Sequence, residues 1–152
     1  MAETGPPTIL LDVFLANQRR KRMIEAALEG TDVPPEDYPF YVFIGADGPW
    51  TPTGLAAFFD MPLSTVLFRI GRLERRGHVD RIPNPDDGRS YLVSLSDEGQ
   101  RLLGTARPAF RDYAEAVEAR LGPERVEALR AALEELRRAV AEELEARTPR
   151  SA

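Results

Sequence analysis

The chain has 152 residues, no cysteine and a formal net charge of −5. That length lets a single domain bury about 68 to 70% of its unfolded surface without a disulfide or metal, and the absence of cysteine excludes thiolate metal sites, thiol redox sensing and cysteine nucleophiles. The negative charge argues against a general polyanion binder, but it permits a local basic docking surface, because distant charges are screened beyond about 8 Å at physiological salt.

The opening stretch, MAETGPPTILLDVFLANQRRKR, puts an acid first and its basic cluster after a short apolar run, the reverse of a secretory leader. No apolar run approaches the roughly 18 residues of a membrane span, so the expected location is cytoplasmic, with no membrane partner. Residues 8–29 predict an amphipathic helix with Leu10, Phe14, Ile24 and Leu28 on one side and Gly30 as its stop. Arg19, Arg20, Lys21 and Arg22 form a basic knot in it, which reads as a solvated face, a phosphate contact or an interface ion pair.

Pro34, Pro35 and Pro39 make residues 31–39 turn-rich, and FYVFI at 40–44 is a continuous apolar run that periodicity alone leaves as either a strand or a buried helical turn. Gly45 to Pro49 breaks the chain. Thr51-Pro52 then reads as an N-cap with proline in the first helical position, opening a helix through Leu55 to Phe59. Thr51 and Thr53 stand where hydroxyls and free backbone N–H groups can hold a phosphate. Asp60-Met61-Pro62 is a turn into the next helix.

In that helix, Leu63 to Arg76, the spacing of Val66, Ile70 and Leu73 marks a core face, with Leu67 leaning toward its edge. The other side carries Ser64, Thr65, Phe68, Arg69, Arg72, Arg75 and Arg76, with Glu74 as the nearby acid. This composition suits the DNA major groove. Arginine can donate two bonds to guanine, hydroxyls can reach bases or phosphates, and an exposed phenylalanine can meet a thymine methyl. The plainer reading is a solvated basic helix face.

Val79 to Pro83 and Ser90 to Leu95 predict two strands around the turn Asn84-Pro85-Asp86-Asp87-Gly88. Arg89 is thereby carried near the tip of a hairpin, where it can reach a minor groove or phosphates. Asp87 reads as a turn former and a salt-bridge buttress of the wing, since phosphates would repel it.

The pieces LAAFF, STV, RLERRGHVDR and NPDDGRSYLVSLSDEGQRLL, in this order over residues 50–103, resemble the winged helix-turn-helix core of the MarR (multiple-antibiotic-resistance regulator) family, with Asp87-Gly88-Arg89 on the family's wing motif. The resemblance implies a mainly α fold with a small β-wing, a winged helix-turn-helix plus N- and C-terminal dimerisation helices, and it favours a short helix at 40–44. It also implies a small aromatic or phenolic effector bound between the dimerisation helices and the DNA-binding unit. Tyr38, Phe40, Tyr41, Phe43 and Trp50 lie in that region and read more readily as core than as pocket. One departure follows Ser-Thr-Val: Leu67 and Phe68 delay the arginine to Arg69, so the base preference of other members does not carry over.

Ser96-Asp97-Glu98 caps a long helix running toward Leu121, with a kink expected at Pro108, and Gly122-Pro123 ends it. The last helix, 123–147, carries Val126, Leu129, Leu133, Leu136, Val140 and Leu144, nearly a heptad seam. It could pack within the chain, but packing against a second copy is favoured, since a terminal helix outside the DNA-binding unit has little else to bury against.

His78 stands alone without a defined metal or triad partner, and Gly45, Gly48 and Gly54 fit no phosphate loop, so neither enzyme activity nor a cofactor is expected. The expected layout is one domain over 1–152, with 50–95 as the DNA-binding unit and 8–30 and 97–147 as dimerisation helices. The expected function is a ligand-responsive repressor that binds a palindromic operator as a homodimer. The alternative is a protein-interaction module of the same fold that has lost DNA binding. On the first reading, Arg69→Ala costs about 1 to 3 kcal/mol of specific binding with little loss of fold.

Overall fold

A computed structural model describes residues 8–147. The elements are α1 (Ile9–Ala27), α2 (Tyr38–Asp47), α3 (Pro52–Phe59), α4 (Leu63–Arg75), β1 (Val79–Pro83), β2 (Tyr91–Leu95), α5 (Asp97–Leu121) and α6 (Pro123–Arg147). They fall into two compact units, Met1–Arg111 and Asp112–Ala152.

The element ends are set by local chemistry. Thr8 and Thr51 cap α1 and α3 through side-chain oxygens that accept from Leu11 N and Gly54 N. Gly77, at φ +74°, takes the left-handed conformation that turns α4 into β1. β1 and β2 pair antiparallel from Val79 opposite Leu95 to Pro83 opposite Tyr91. Trp50 adds one bridge to this sheet, exchanging both backbone bonds with Val93 at 3.0 and 2.7 Å. FYVFI lies within α2, so the helical alternative holds for that run. Pro108 lies inside α5 without ending it.

The core belongs to the first unit. Phe40, Tyr41, Leu55, Val66, Ile70, Leu73 and Val93 are at most 1% exposed, joined by Ile24 of α1, its C-cap Leu28, and Leu102 and Leu103 of α5. Tyr38, Phe40 and Tyr41 are therefore core, while Phe43 and Trp50 are half-buried beside Phe58. α5 packs so closely on the start of β1 that a Cβ at Gly99 would stand 2.0 Å from the His78 carbonyl oxygen. That wedge fixes the base of the wing.

Two apolar surfaces remain open. On α1, Leu10 and Phe14 are 57% and 53% exposed, though Ile24 and Leu28 of the same predicted side are buried. α6 contains no buried residue; Val126 and Leu136 are half-covered, while Leu129, Leu133, Val140 and Leu144 are exposed. Inside the second unit, Glu118 receives Arg130 at 3.0 Å across the turn made by Gly122.

Candidate nucleic-acid interface

α3 and α4 form the helix-turn-helix. Asp60, in the left-handed region at φ 51°, makes the turn, and its N–H reaches back to Ala56 and Ala57 carbonyls. Val66, Ile70 and Leu73 then anchor α4 completely, each 0% exposed. The helix is thus held by one face, with its remaining surface free to present side chains.

What α4 presents differs from the predicted face. Ser64 and Phe68 are exposed as expected, and Thr65 is half-buried. Arg69 and Arg72 do not face outward. Arg69 Nη1 donates to Asp37 Oδ1 at 2.7 Å and to the Glu36 carbonyl at 2.9 Å. Arg72 Nη2 donates to Asp37 Oδ2, and its Nη1 sits 3.2 Å from Glu36 Oε1. The Asp37 side chain is 0% exposed, and the two arginines are 22% and 29% exposed. Arg69 also lies over the Phe40 ring, 5.7 Å from its centroid.

The physical reason is helix phase. Arg69 sits three residues after Val66 and four before Leu73, so its neighbours on the helix surface are core residues and its side chain leaves along the core rim. There a carboxylate without water needs a counter-charge, and both guanidiniums supply it. The hydrogen bond that Arg72 donates to Asp37 raises the Arg72 pKa above its ordinary value. Arg69→Ala is therefore first a stability substitution, contrary to the expectation of little loss of fold.

Leu67 is the converse correction. Placed between Leu63 and Gly71 at spacings of four, it is 42% exposed rather than at the core edge. The open face of α4 consists of Leu63, Ser64, Leu67, Phe68 and Arg75 around a half-covered Gly71. Arg76, exposed at the C-cap of α4, lines a recess with Thr31, Asp32, Val33, Pro34 and Pro35 instead of joining that face.

The wing lies alongside. Asn84 Nδ2 donates to Ser90 Oγ at 2.7 Å, and Asp87 Oδ1 accepts the Arg89 backbone N–H at 3.0 Å. Asp87 buttresses the tip through this backbone bond, and among the described residues it forms no ion pair with the Arg89 guanidinium. Among the described residues, neither Arg75 nor Arg89 forms an ion pair. A cleft of about 390 Å³ separates wing and helices, lined by Thr51, Thr53, Leu63, Leu67, Asp87 and Arg89 among others. The Thr51 hydroxyl accepts from Gly54 N and lies 3.2 Å from that of Thr53, so both hydroxyls crown the start of α3. Three predicted contact residues, Thr51, Thr53 and Arg89, thus meet at one concavity, although they are distant in sequence.

Beneath the wing, the Tyr41 hydroxyl meets His78 Nδ1 at 2.5 Å. Burial, then the nearby Asp37 charge, pushes the Tyr41 pKa up to about 12, so the phenol keeps its proton and donates. Burial, then Arg76, lowers the His78 pKa, so its ring stays neutral and accepts. His78, 8% exposed, is a buried hydrogen-bond partner that ties the start of the wing to α2.

Sequence reasoning missed Glu36 and Asp37, which organise the arginines. Their only signal is an acidic pair set directly before the apolar run of α2.

No protein-family profile matches the chain. An HTH-type transcriptional regulator of Mycobacterium bovis is 30% identical over 102 residues, 67% of this chain and 71% of that protein. The multiple antibiotic resistance protein MarR of Salmonella typhimurium is 27% identical over 90 residues, and the match spans 62% of its length. Among solved structures, a probable transcriptional regulator from Pseudomonas aeruginosa superimposes with a TM-score of 0.75 at 31% identity, over 85% of this chain and 96% of that one. A mutant Escherichia coli MarR complexed with operator DNA gives a TM-score of 0.75 at 24% identity, over 84% and 94%.

Proposed function

Because the chain belongs to the MarR family of winged helix-turn-helix regulators, we propose that it is a transcriptional repressor that binds a near-palindromic operator as a homodimer. The supporting observation is the concavity itself. An anchored helix offers its open face beside a free wing arginine and a hydroxyl-bearing helix N-terminus, all bordering one cleft. α4 would enter the major groove, Arg89 would reach the adjoining minor groove or backbone, and Thr51 and Thr53 would hold a phosphate. The E. coli relative solved with operator DNA has the same fold.

The dimer reading draws on the open apolar residues of α1 and α6, Leu10, Phe14, Leu129 and Leu133 above all, which the described residues of a single chain leave about half exposed. A buried leucine contributes on the order of 1.5 to 3 kcal/mol, so a few such residues offset the cost of association. Two copies would place their α4 helices about 34 Å apart, one turn of duplex. In this layout residues 50–95 are the DNA-binding unit, and 8–30 and 97–147 the dimerisation helices. A small aromatic or phenolic effector is part of the same reading.

The test is selection of duplexes from a random pool by the full chain, followed by fluorescence anisotropy. A regulator should recover a two-fold related motif and prefer it over random duplex by at least about a thousandfold. Recovery of no motif would instead favour the protein-interaction module, a reading that draws on the sequestration of Arg69 and Arg72. Repeating the selection with candidate aromatic acids tests the effector.

A further inference from the structure

Two arginines of α4 are committed to Asp37, and in their place the helix presents carbon. Leu63, Leu67 and Phe68 are 40%, 42% and 65% exposed; Leu63 and Leu67, four residues apart, adjoin on the helix surface, and Phe68 stands about 100° further round the helix. Reading guanine takes a guanidinium with two free N–H donors. Arg69 and Arg72 instead spend Nη groups on the buried Asp37 and on Glu36. The major-groove feature that an apolar side chain can recognise is the C5-methyl of thymine.

Resting on the reading of α4 as the recognition helix, we propose that Leu67 and Phe68, flanked by Leu63, are specificity-determining residues that read thymine methyl groups. The half-site then carries A·T pairs beneath them. The occupant of this apolar face is B-form duplex rather than protein, because its rim is built for a sugar-phosphate strand. Thr51, Thr53 and Arg89 border the cleft into which Leu63 and Leu67 open, and Arg75 ends the open row. Half-covered Gly71, central in that row, leaves room for α4 to approach the bases.

The experiment uses the duplex recovered from the random pool, resynthesised with deoxyuridine for each thymine in turn and, separately, with 7-deazaguanine for each guanine. Loss of a contacted methyl should weaken wild-type binding about fourfold, the equivalent of one buried carbon. Phe68→Ala and Leu67→Ala should bind the thymine duplex more weakly and no longer distinguish it from the uracil one. Both side chains are exposed, so an unchanged melting temperature would confirm that folding is not the cause. Equal wild-type affinity for the thymine and all-uracil duplexes would overturn the proposal while leaving the regulator reading intact, since a specific duplex was recovered. Loss of binding on 7-deazaguanine substitution at those positions, without a uracil effect, would also overturn it by showing that arginines leave Asp37 to read guanine. Failure to recover any duplex would remove both readings.

Discussion

Helices α4 and α6 carry apolar residues at similar spacings of three and four, and they end in opposite situations. In α4, Val66, Ile70 and Leu73 are 0% exposed and hold the helix in the core. In α6, no residue is buried, and Leu133 and Leu144 are 52% and 62% exposed. Periodicity reports which face of a helix is apolar, and only a partner decides whether that face is core or interface. The arginines of α4 repeat the contrast on a smaller scale, with Arg69 and Arg72 drawn to the core rim and Arg75 left outside.

The largest expected effect breaks the anchored side. Asp37→Ala removes the buried counter-charge of Arg69 and leaves Arg72 with Glu36 alone, and should lower unfolding stability by about 3 to 5 kcal/mol in urea titration. A cost below about 1 kcal/mol would mean that the clamp is open in solution and the arginines are available to DNA. Next, Leu133→Glu should leave the helical content intact and shift the chain toward monomer in sedimentation, weakening association by about 3 kcal/mol. An unshifted dimer would remove α6 from the interface.

Smaller effects sharpen the outer surface of α4 and its wing. Arg89→Ala should weaken binding to every duplex and reduce the slope of log affinity against log salt by about one, measured by anisotropy at several salt concentrations. Gly71→Ala has room, since its Cβ would meet only Arg75 Nη1 at 3.5 Å. It should raise stability by about 0.5 to 1 kcal/mol and still reduce DNA affinity if α4 makes a close approach. A gain in stability without any loss in binding would place the duplex farther from the helix backbone.

The smallest effect concerns pH. Because the His78 pKa is lowered in the fold from its ordinary 6.5, the unfolded chain takes up the proton first as pH falls. The stability from neutral His78 is fully present above 6.5 and is lost as pH falls through the folded value. His78→Gln should flatten the dependence of melting temperature on pH across this acidic range, and an unaltered slope would assign the titration to another group.

Much of this was legible in the chain. Thr51-Pro52 announced the start of α3, the run from Asn84 to Gly88 the wing turn, and Gly122-Pro123 the boundary before α6. Each of these is a local conformational preference, expressed wherever those residues occur together. The partition of α4 was less legible. Asp37 lies 32 and 35 residues before the arginines it binds, and nothing local marks it as buried. The phase of α4 could be read from Val66, Ile70 and Leu73, but a guanidinium at the rim of the core can turn toward water or toward a carboxylate. A long side chain leaves both routes open.

The amino-acid order alone therefore determined the succession of helices, the wing and the apolar stripe on each helix, because these follow from backbone preferences and from side-chain period. The tertiary structure decided which cations remain free of ion pairs among the described residues, which apolar residues line the outer surface of α4, and that three predicted contact residues distant in sequence share one cleft. Those outcomes depend on what packing brings within a few ångströms, and a buried carboxylate far along the chain is enough to redirect two arginines.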